Sequence, residues 1–255
     1  LPEVSDNYEV GFKSTLRDGR LRLNGTYFST VYENQQITVG RVIDGQPTAD
    51  IINAKEADLQ GIEVELIAQL NDNLALTLTY GLLDGEYNDF SVVDTLYDPV
   101  TFVSTDVLRD LTDTPFGYSG DDGKSNTFDI GLIHDTTLNN GISITSQISL
   151  NRQDKSWGTL LHVPGSSMPG YNLIDGRVSL TLPDGVNTFT LWVTNLRDKE
   201  YGEVGGDRAR LLGANDKLYR QNQMSQCCYQ QTYLGKDGQK TEGGKCRSLI
   251  SFGVN

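Results

Sequence analysis

Few of the side chains able to do chemistry are spaced to do it together. Glu63 and Glu65 stand two apart, so on a strand they share a face and pair two carboxylates, as general acid–base catalysis requires. The hydrated side of a ribbon explains them more simply. Neither histidine, His134 beside Asp135 or His162 ahead of Pro164, has a recognisably placed serine or cysteine nucleophile. Both are expected to be isolated surface imidazoles, and no catalytic residue is expected.

Cys227, Cys228 and Cys246 are the only cysteines. They offer no Cys-x-x-Cys pair and both histidines are far off, so zinc is not expected. The expected use is a disulfide from Cys246 to Cys227 or Cys228, which fits an oxidising compartment and leaves one thiol over. Asp121-Asp122-Gly123 and the stretch from Asp94 to Asp98 offer oxygens to calcium but lack the ligand spacing of a known loop, so solvated turns are expected. Asn24-Gly25-Thr26 fits the N-glycosylation pattern, yet it lies inside a strand pattern and is taken as chance. No metal and no cofactor are expected.

The formal net charge is −13 and the pI about 4.5, which argues against a nucleic-acid partner, whose phosphates a binder must neutralise. In 255 residues, 27 glycines, 12 tyrosines and 22% charged residues suit one turn-rich β domain. No stretch approaches the roughly 20 apolar residues of a membrane helix. A barrel strand, however, spans a bilayer with about 10 residues, and only alternate ones must be apolar.

Alternation of that kind runs through the chain. Val10 and Phe12 alternate with Glu9, Gly11 and Lys13; after Arg17-Asp18-Gly19-Arg20, Leu23, Gly25 and Tyr27 alternate with Arg22, Asn24 and Thr26. A long loop is expected from about Asn34 to Ala57. The third strand sets Ile62, Val64, Leu66 and Ala68 against Glu63, Glu65 and Ile67, and the fourth sets Leu76, Leu78 and Tyr80 against Thr77 and Thr79. A second long loop is expected from Asp84 to Lys124. A fifth strand covers about Asn126 to Asp135, and a sixth sets Ile144, Ile148 and Leu150 against Gln147, Ser149 and Asn151. After a loop from Asp154 to Pro169 comes a hairpin turning at Pro183-Asp184-Gly185-Val186, with Val178, Leu180, Leu191 and Val193 on one side and Asp175, Arg177 and Thr190 on the other. The longest loop is expected from Gly202 to Lys245, before a ninth strand from Arg247 to Val254.

Connections thus alternate short and long, the rhythm of an outer-membrane barrel with tight periplasmic turns and long outer loops. A β-sandwich mixes connection lengths. The fold expected is an all-β, antiparallel transmembrane barrel. Its lipid-facing residues would be Val10, Phe12, Leu23, Val64, Leu76, Leu78, Ile144, Ile148, Leu180, Leu191 and Val193. Its lumen-facing residues would be Glu9, Lys13, Arg22, Asn24, Glu63, Glu65, Gln147 and Asn151. Tyr27, Tyr80 and Tyr87 would form an aromatic girdle. First and ninth strands would be parallel, so these strands cannot close alone, and residues 1–255 are expected to be part of a larger barrel.

Three segments carry a family resemblance: SDNYEVGFKSTLRDGRLRLNGTYFSTVYENQQ (5–36), LQGIEVELIAQLNDNLALTLTYGLLDGEY (59–87) and FTLWVTNLRDKEY (189–201). In order and in hairpin context, they resemble the barrel of TonB-dependent outer-membrane receptors, the last being similar to the Asn-Leu-x-Asp-Lys-x-Tyr segment near that family's C-terminus. The resemblance implies the C-terminal part of a barrel of the roughly 22-strand type, whose plug domain and energy-coupling box lie outside these residues. The opening LPEVSDNYEV shows no signal peptide, which also leads us to expect an internal piece. The family's usual terminal aromatic does not appear at Gly253-Val254-Asn255, so a few further residues are expected there.

The implied activity is active import across the outer membrane of a Gram-negative bacterium, energised by the TonB complex through the plug, with outer-membrane lipid as the surroundings. A ferric siderophore is the expected cargo, with cobalamin, haem or an oligosaccharide as other possibilities. The expected ligand-contacting residues of the outer loops are Tyr97, Tyr118, Trp157 and Tyr219, whose rings can stack on sugar or aryl groups, and Arg208, Arg210 and Arg220, whose guanidinium groups can hold an anionic chelate. A passive porin and a soluble β-sandwich binding module are the alternatives.

Overall fold

Each alternating segment pairs with its sequence neighbour. The computed structural model describes residues 1–43, 46–98, 101, 103–117, 119–160, 162, 166–202, 226–234 and 240–248. Of these, 40–43, 46–50, 95–97, 104 and the last two segments are described by backbone alone. The elements are β1 (Val4–Leu16), β2 (Leu21–Ile43), β3 (Gln46–Asn71), β4 (Leu74–Asp89), β5 (Ser91–Tyr97), β6 (Ser104–Asp110) and β7 (Thr114–Pro115). They continue as β8 (Lys124–Thr137), β9 (Ser143–Gln153), β10 (Ser156–Trp157), β11 (Ser167–Met168), β12 (Tyr171–Thr181), β13 (Thr188–Thr194), β14 (Gln226–Leu234) and β15 (Lys240–Ser248). Among the described residues no segment is helical.

The main sheet is an antiparallel meander in the order β1-β2-β3-β4-β8-β9-β12-β13-β14-β15, with β7 appended to β4. Strands β1 and β15 are its two ends and do not pair with each other, so the sheet is open, as expected of part of a barrel.

The strand count differs from expectation, and the reason is local. The Gly202–Lys245 stretch taken as one loop contains β14, and the ninth strand expected at Arg247 to Val254 is replaced by β15, which begins at Lys240; residues 249–255 lie outside the described ones. The meander therefore has ten strands, with first and last antiparallel, and its openness rests on the observed pairing rather than on an odd count.

Two other expected loops are largely strand. In place of a loop from Asn34 to Ala57, β2 and β3 stay paired as far as Ile43 opposite Gln46. Ile37 and Val39, both buried, supply the β-branched alternation that sustains the ladder, which proximity to Gly45-Gln46-Pro47 obscures. The stretch from Asp84 to Lys124 holds the end of β4, the β5–β6 hairpin and β7. In that hairpin the buried Asp94 carboxylate accepts a hydrogen bond from Arg109 at 2.5 Å.

The short turns are chemically specified. Arg17, Asp18 and Gly19 all take positive φ between β1 and β2. Between β12 and β13, Asp184 accepts backbone hydrogen bonds from Val186 and Asn187 at 2.9 and 3.1 Å, and Gly185 takes φ 67°. Those hydrogen bonds hold the Asp184 carboxyl below its usual range.

Register divides the sheet into two faces. One row runs Leu23–Leu66–Leu78–Ile130–Leu150–Ile174, and the next, towards the short turns, Leu21–Ala68–Leu76–Leu132–Ile148–Gly176–Val193. This apolar face is open to the surroundings: Val10 is 68% exposed, and Ile148 and Leu191 51% and 54%. Among the described residues no second sheet packs against this face, unlike the sandwich considered from sequence. The buried core lies elsewhere, among the extended strands at the long-connection end.

Candidate functional site

The opposite face is built from the alternate residues of the same strands and carries polar rows. Lys13, Asn24, Glu65, Thr79, Asp129 and Asn151 form one such row, and the Asn24 amide donates to Glu65 at 3.1 Å. Arg22 heads another, through Ile67, Thr77, Gly131 and Ser149 to Asp175. A third runs Ala75–Ile133–Gln147–Arg177–Trp192. Glu63 lies between Thr26 and Gly81, and Glu9 opposite Phe28. Cross-strand hydroxyl pairs, Ser179 with Thr190 at 2.9 Å and Thr181 with Thr188 at 3.1 Å, line the same face towards the short turns.

Trp192 is a residue the sequence reading passed over. Its place between Leu191 and Val193 made it look like part of an apolar run, but strict alternation puts it on the polar face opposite Arg177. With Arg177, Gln147, Ser149, Asp175 and Thr194 it lines an open recess of about 370 Å³.

At the long-connection end, which we call the mouth, the polar-face rows turn apolar and are covered. Tyr32, Ala57 and Tyr87 are register partners there. Tyr87 is 1% exposed and packs with Phe90, Phe116, Val92 and Leu160; its ring centroid lies 4.9 Å from that of Phe90 and 5.2 Å from that of Phe116. Tyr87 therefore belongs to this cap and not to the girdle assigned to it from sequence. Tyr27 and Tyr80 do lie on the apolar face, where their hydroxyls donate to Gln60 at 3.1 Å and Asn126 at 2.7 Å.

Two connections form the cap jointly. A Cβ on Gly117 would lie 2.6 Å from Leu160 Cδ1, so the loop after β7 and the loop after β10 meet at a residue with no side chain. His162 Nε2 donates to the Gly117 carbonyl at 3.1 Å, which fixes that nitrogen as the protonated one. The His162 ring stacks on Trp157 with centroids 4.8 Å apart and planes 9° from parallel. Trp157 Nε1 donates to Asp121 at 2.8 Å, while Lys155 pairs with the same carboxylate at 2.7 Å and sits 4.6 Å from the Trp157 ring centroid.

These contacts set the local charges. Hydrogen bonds from Lys155 and then Trp157 hold the Asp121 carboxyl below its ordinary range, and burial pushes the His162 imidazole down. His162 is thus not the isolated surface imidazole expected. Asp121 is engaged by an ammonium and an indole, and among the described residues no three His, Cys, Asp or Glu side chains gather as a metal would need.

Of the other outer-loop residues singled out from sequence, Tyr97 ends β5 and is described by backbone alone. Tyr118, Arg208, Arg210, Tyr219 and Arg220 lie outside the described residues. Cys227, Cys228 and Cys246 are placed by backbone in β14 and β15.

A two-faced open meander with a capped mouth defines part of a transmembrane barrel wall, and the comparisons give its family. The family model described as TonB dependent receptor-like, beta-barrel matches residues 1–196, so the chain belongs to the TonB-dependent receptor β-barrel family. These proteins are transport receptors of the Gram-negative outer membrane, not enzymes. Among solved structures, FpvA of P. aeruginosa bound to a heterologous iron–pyoverdine superposes with a TM-score of 0.51 at 18% identity, over 83% of this chain and 25% of that one. The complex of FpvAI with pyocin S2 gives 0.50 at 18% identity, over 79% and 24%. The chain thus spans about a quarter of the length of these structures. A comparison with curated proteins finds no match.

Proposed function

We propose that residues 1–255 form part of the barrel wall and outer mouth of a receptor that imports a ferric siderophore across the outer membrane, with energy delivered by the TonB complex through a plug outside this chain. The observation that carries the reading is the pairing of a continuous exposed apolar face with a polar one. Unsatisfied backbone groups are excluded from hydrocarbon, so a sheet of this kind resides in a bilayer only when closed with further strands. Val10, Phe12, Leu23, Val64, Leu76, Leu78, Ile144, Ile148, Leu180, Leu191 and Val193, which share the apolar face, meet lipid. Glu9, Lys13, Arg22, Asn24, Glu63, Glu65, Gln147 and Asn151 line the wet interior.

The cargo class is supported by likeness to a receptor seen with iron–pyoverdine. In this reading Tyr97, Tyr118, Trp157, Arg208, Arg210, Tyr219 and Arg220 contribute aromatic and cationic contacts for an anionic chelate at the mouth. Trp157 is held for such a role by Asp121 on its indole nitrogen and by His162 on one ring face.

The test is radioiron uptake by iron-starved cells with and without the gene, supplied with hydroxamate, catecholate and pyoverdine chelates in turn. At least one chelate should require both the gene and an intact TonB complex. Uptake of every chelate that is indifferent to the gene would overturn the cargo assignment, and gene-dependent uptake without TonB would indicate a passive channel.

A further inference from the structure

We propose that Cys228 and Cys246 form a cross-strand disulfide between β14 and β15, and that Cys227 remains a free thiol on the other face of the sheet. The pairing follows from register. Cys228 is the direct partner of Cys246, whereas Cys227 is the partner of Arg247. Directly opposed residues of an antiparallel pair have Cα atoms about 4.5–5.5 Å apart, inside the roughly 4.4–6.8 Å that a disulfide spans. Side chains alternate faces along a strand, so Cys227 is assigned to the face opposite Cys228 and Cys246, and a bridge from it to either cysteine would require the backbone to turn over.

The same alternation places the bridge within the molecule. Gln147, Arg177, Trp192, Cys228 and Cys246 occupy successive positions of one row, so the disulfide extends the polar face beyond Trp192. Cys227 falls in the apolar row, after Ile148, Gly176 and Val193. The bridge ties the two strands together across residues 235–239 and pins their register, because a one-residue slip would bring Cys227 opposite Cys246 and exchange the faces of every β14 residue.

The chemistry needs a partner, which is a protein disulfide of the oxidising compartment outside the inner membrane. One cysteine thiolate attacks that disulfide, forming a mixed disulfide and releasing one carrier thiolate. The second cysteine then attacks the mixed disulfide, the Cys228–Cys246 bond forms, and the carrier leaves with both sulfurs reduced. Two electrons and two protons have passed from the cysteines to the carrier.

The test is thiol mapping of the full-length receptor extracted from cell envelopes under non-reducing conditions, with maleimide blocking before digestion and mass spectrometry. Unmodified protein should yield the peptide of residues 221–236 bridged to the one containing Cys246, with a single maleimide on Cys227. Cys227→Ser should keep the bridge and lose the label, and Cys228→Ser should lose the bridge, keep the label on Cys227 and gain one on Cys246. Three labelled cysteines in the unmodified protein, or a bridge that persists in Cys228→Ser, would overturn the proposal. Because the first readout uses the unmodified receptor, a variant that fails to assemble does not shield the idea from refutation.

Discussion

Replacing Leu160 with alanine should open the cap at the mouth while leaving the barrel wall intact. Leu160 is 8% exposed and packs in the cluster of Tyr87, Phe90 and Val92, with its Cδ1 against Gly117. Leu-to-Ala changes in cores cost about 2–5 kcal/mol, the larger values belonging to sites that cannot collapse. Gly117 has no side chain to fill the gap, but the cluster is small and near solvent, so about 2–3 kcal/mol is expected. At about 1.4 kcal/mol per factor of ten, that is a rise of roughly 30- to 150-fold in the population of open cap.

The assay is amide hydrogen exchange of the receptor in detergent. The Gly158 amide, which donates to Ser166, and the Phe116 amide, which donates to Gly85, should both exchange faster by that factor. Amides of the β12–β13 ladder should be unchanged. Less than about a threefold rise at Gly158, or an equal rise across β12 and β13, would refute the account of the cap as a packed unit separate from the wall.

Other outcomes follow from the same geometry. Because burial depresses the folded-state pKa of His162, the unfolded or open state binds the proton more readily, so cap stability is fully present above pH 6.5 and falls as pH drops below it through the depressed folded value. Asp121, depressed by Lys155 and Trp157, adds stability that is present above its unfolded value of 3.8 and lost as pH falls further. Once the intrinsic slowing of amide exchange in acid is divided out, the protection of Gly158 should therefore fall in two stages on acidification, and His162→Gln should remove the first. Asp94→Ala strands Arg109 and should make the β5–β6 hairpin cleavable by protease, with the meander still resistant; equal resistance of the hairpin would count against the ion pair as its anchor. Leu78→Arg on the apolar face should destabilise assembly by about 2–4 kcal/mol in urea titrations of the reconstituted receptor. Thr79→Arg, whose register partners are Glu65 and Asp129, should cost little.

The wall was legible in the sequence because a period of two is a strong signal when both faces are occupied. Every residue assigned to the apolar side, from Val10 to Val193, falls on one face, and every polar assignment on the other. The neighbour-to-neighbour order of the wall was legible as far as β13, whereas β14 lay hidden in the stretch expected to be the longest loop. The ends of strands were harder. Beyond Asn34 the Ile37 and Val39 alternation that sustains the β2–β3 ladder is short and lies close to Gly45-Gln46-Pro47, and beyond Gly202 charged and turn-forming residues are dense around β14 and β15.

The cap was hidden for a different reason. Leu160, His162 and Trp157 lie in segments that carry no periodicity of their own, and they come near Tyr87 at the end of β4 only because two connections fold over the same rows. Tyr87 looked like a girdle residue because its type suits an interface, but counting its parity from Gly81 and Leu83 would have put it on the polar-row side. Trp192 was missed by the same neglect of parity.

The claim on which the rest depends is that the apolar face meets hydrocarbon, and quenching by lipids with brominated acyl chains tests it directly. Tryptophan placed at Leu78 in the full-length receptor, reconstituted in such lipids and corrected for Trp157 and Trp192, should be strongly quenched, while tryptophan at the adjacent Thr79 should not. Equal quenching at the two positions, or quenching at Thr79 alone, would contradict the assignment of the faces.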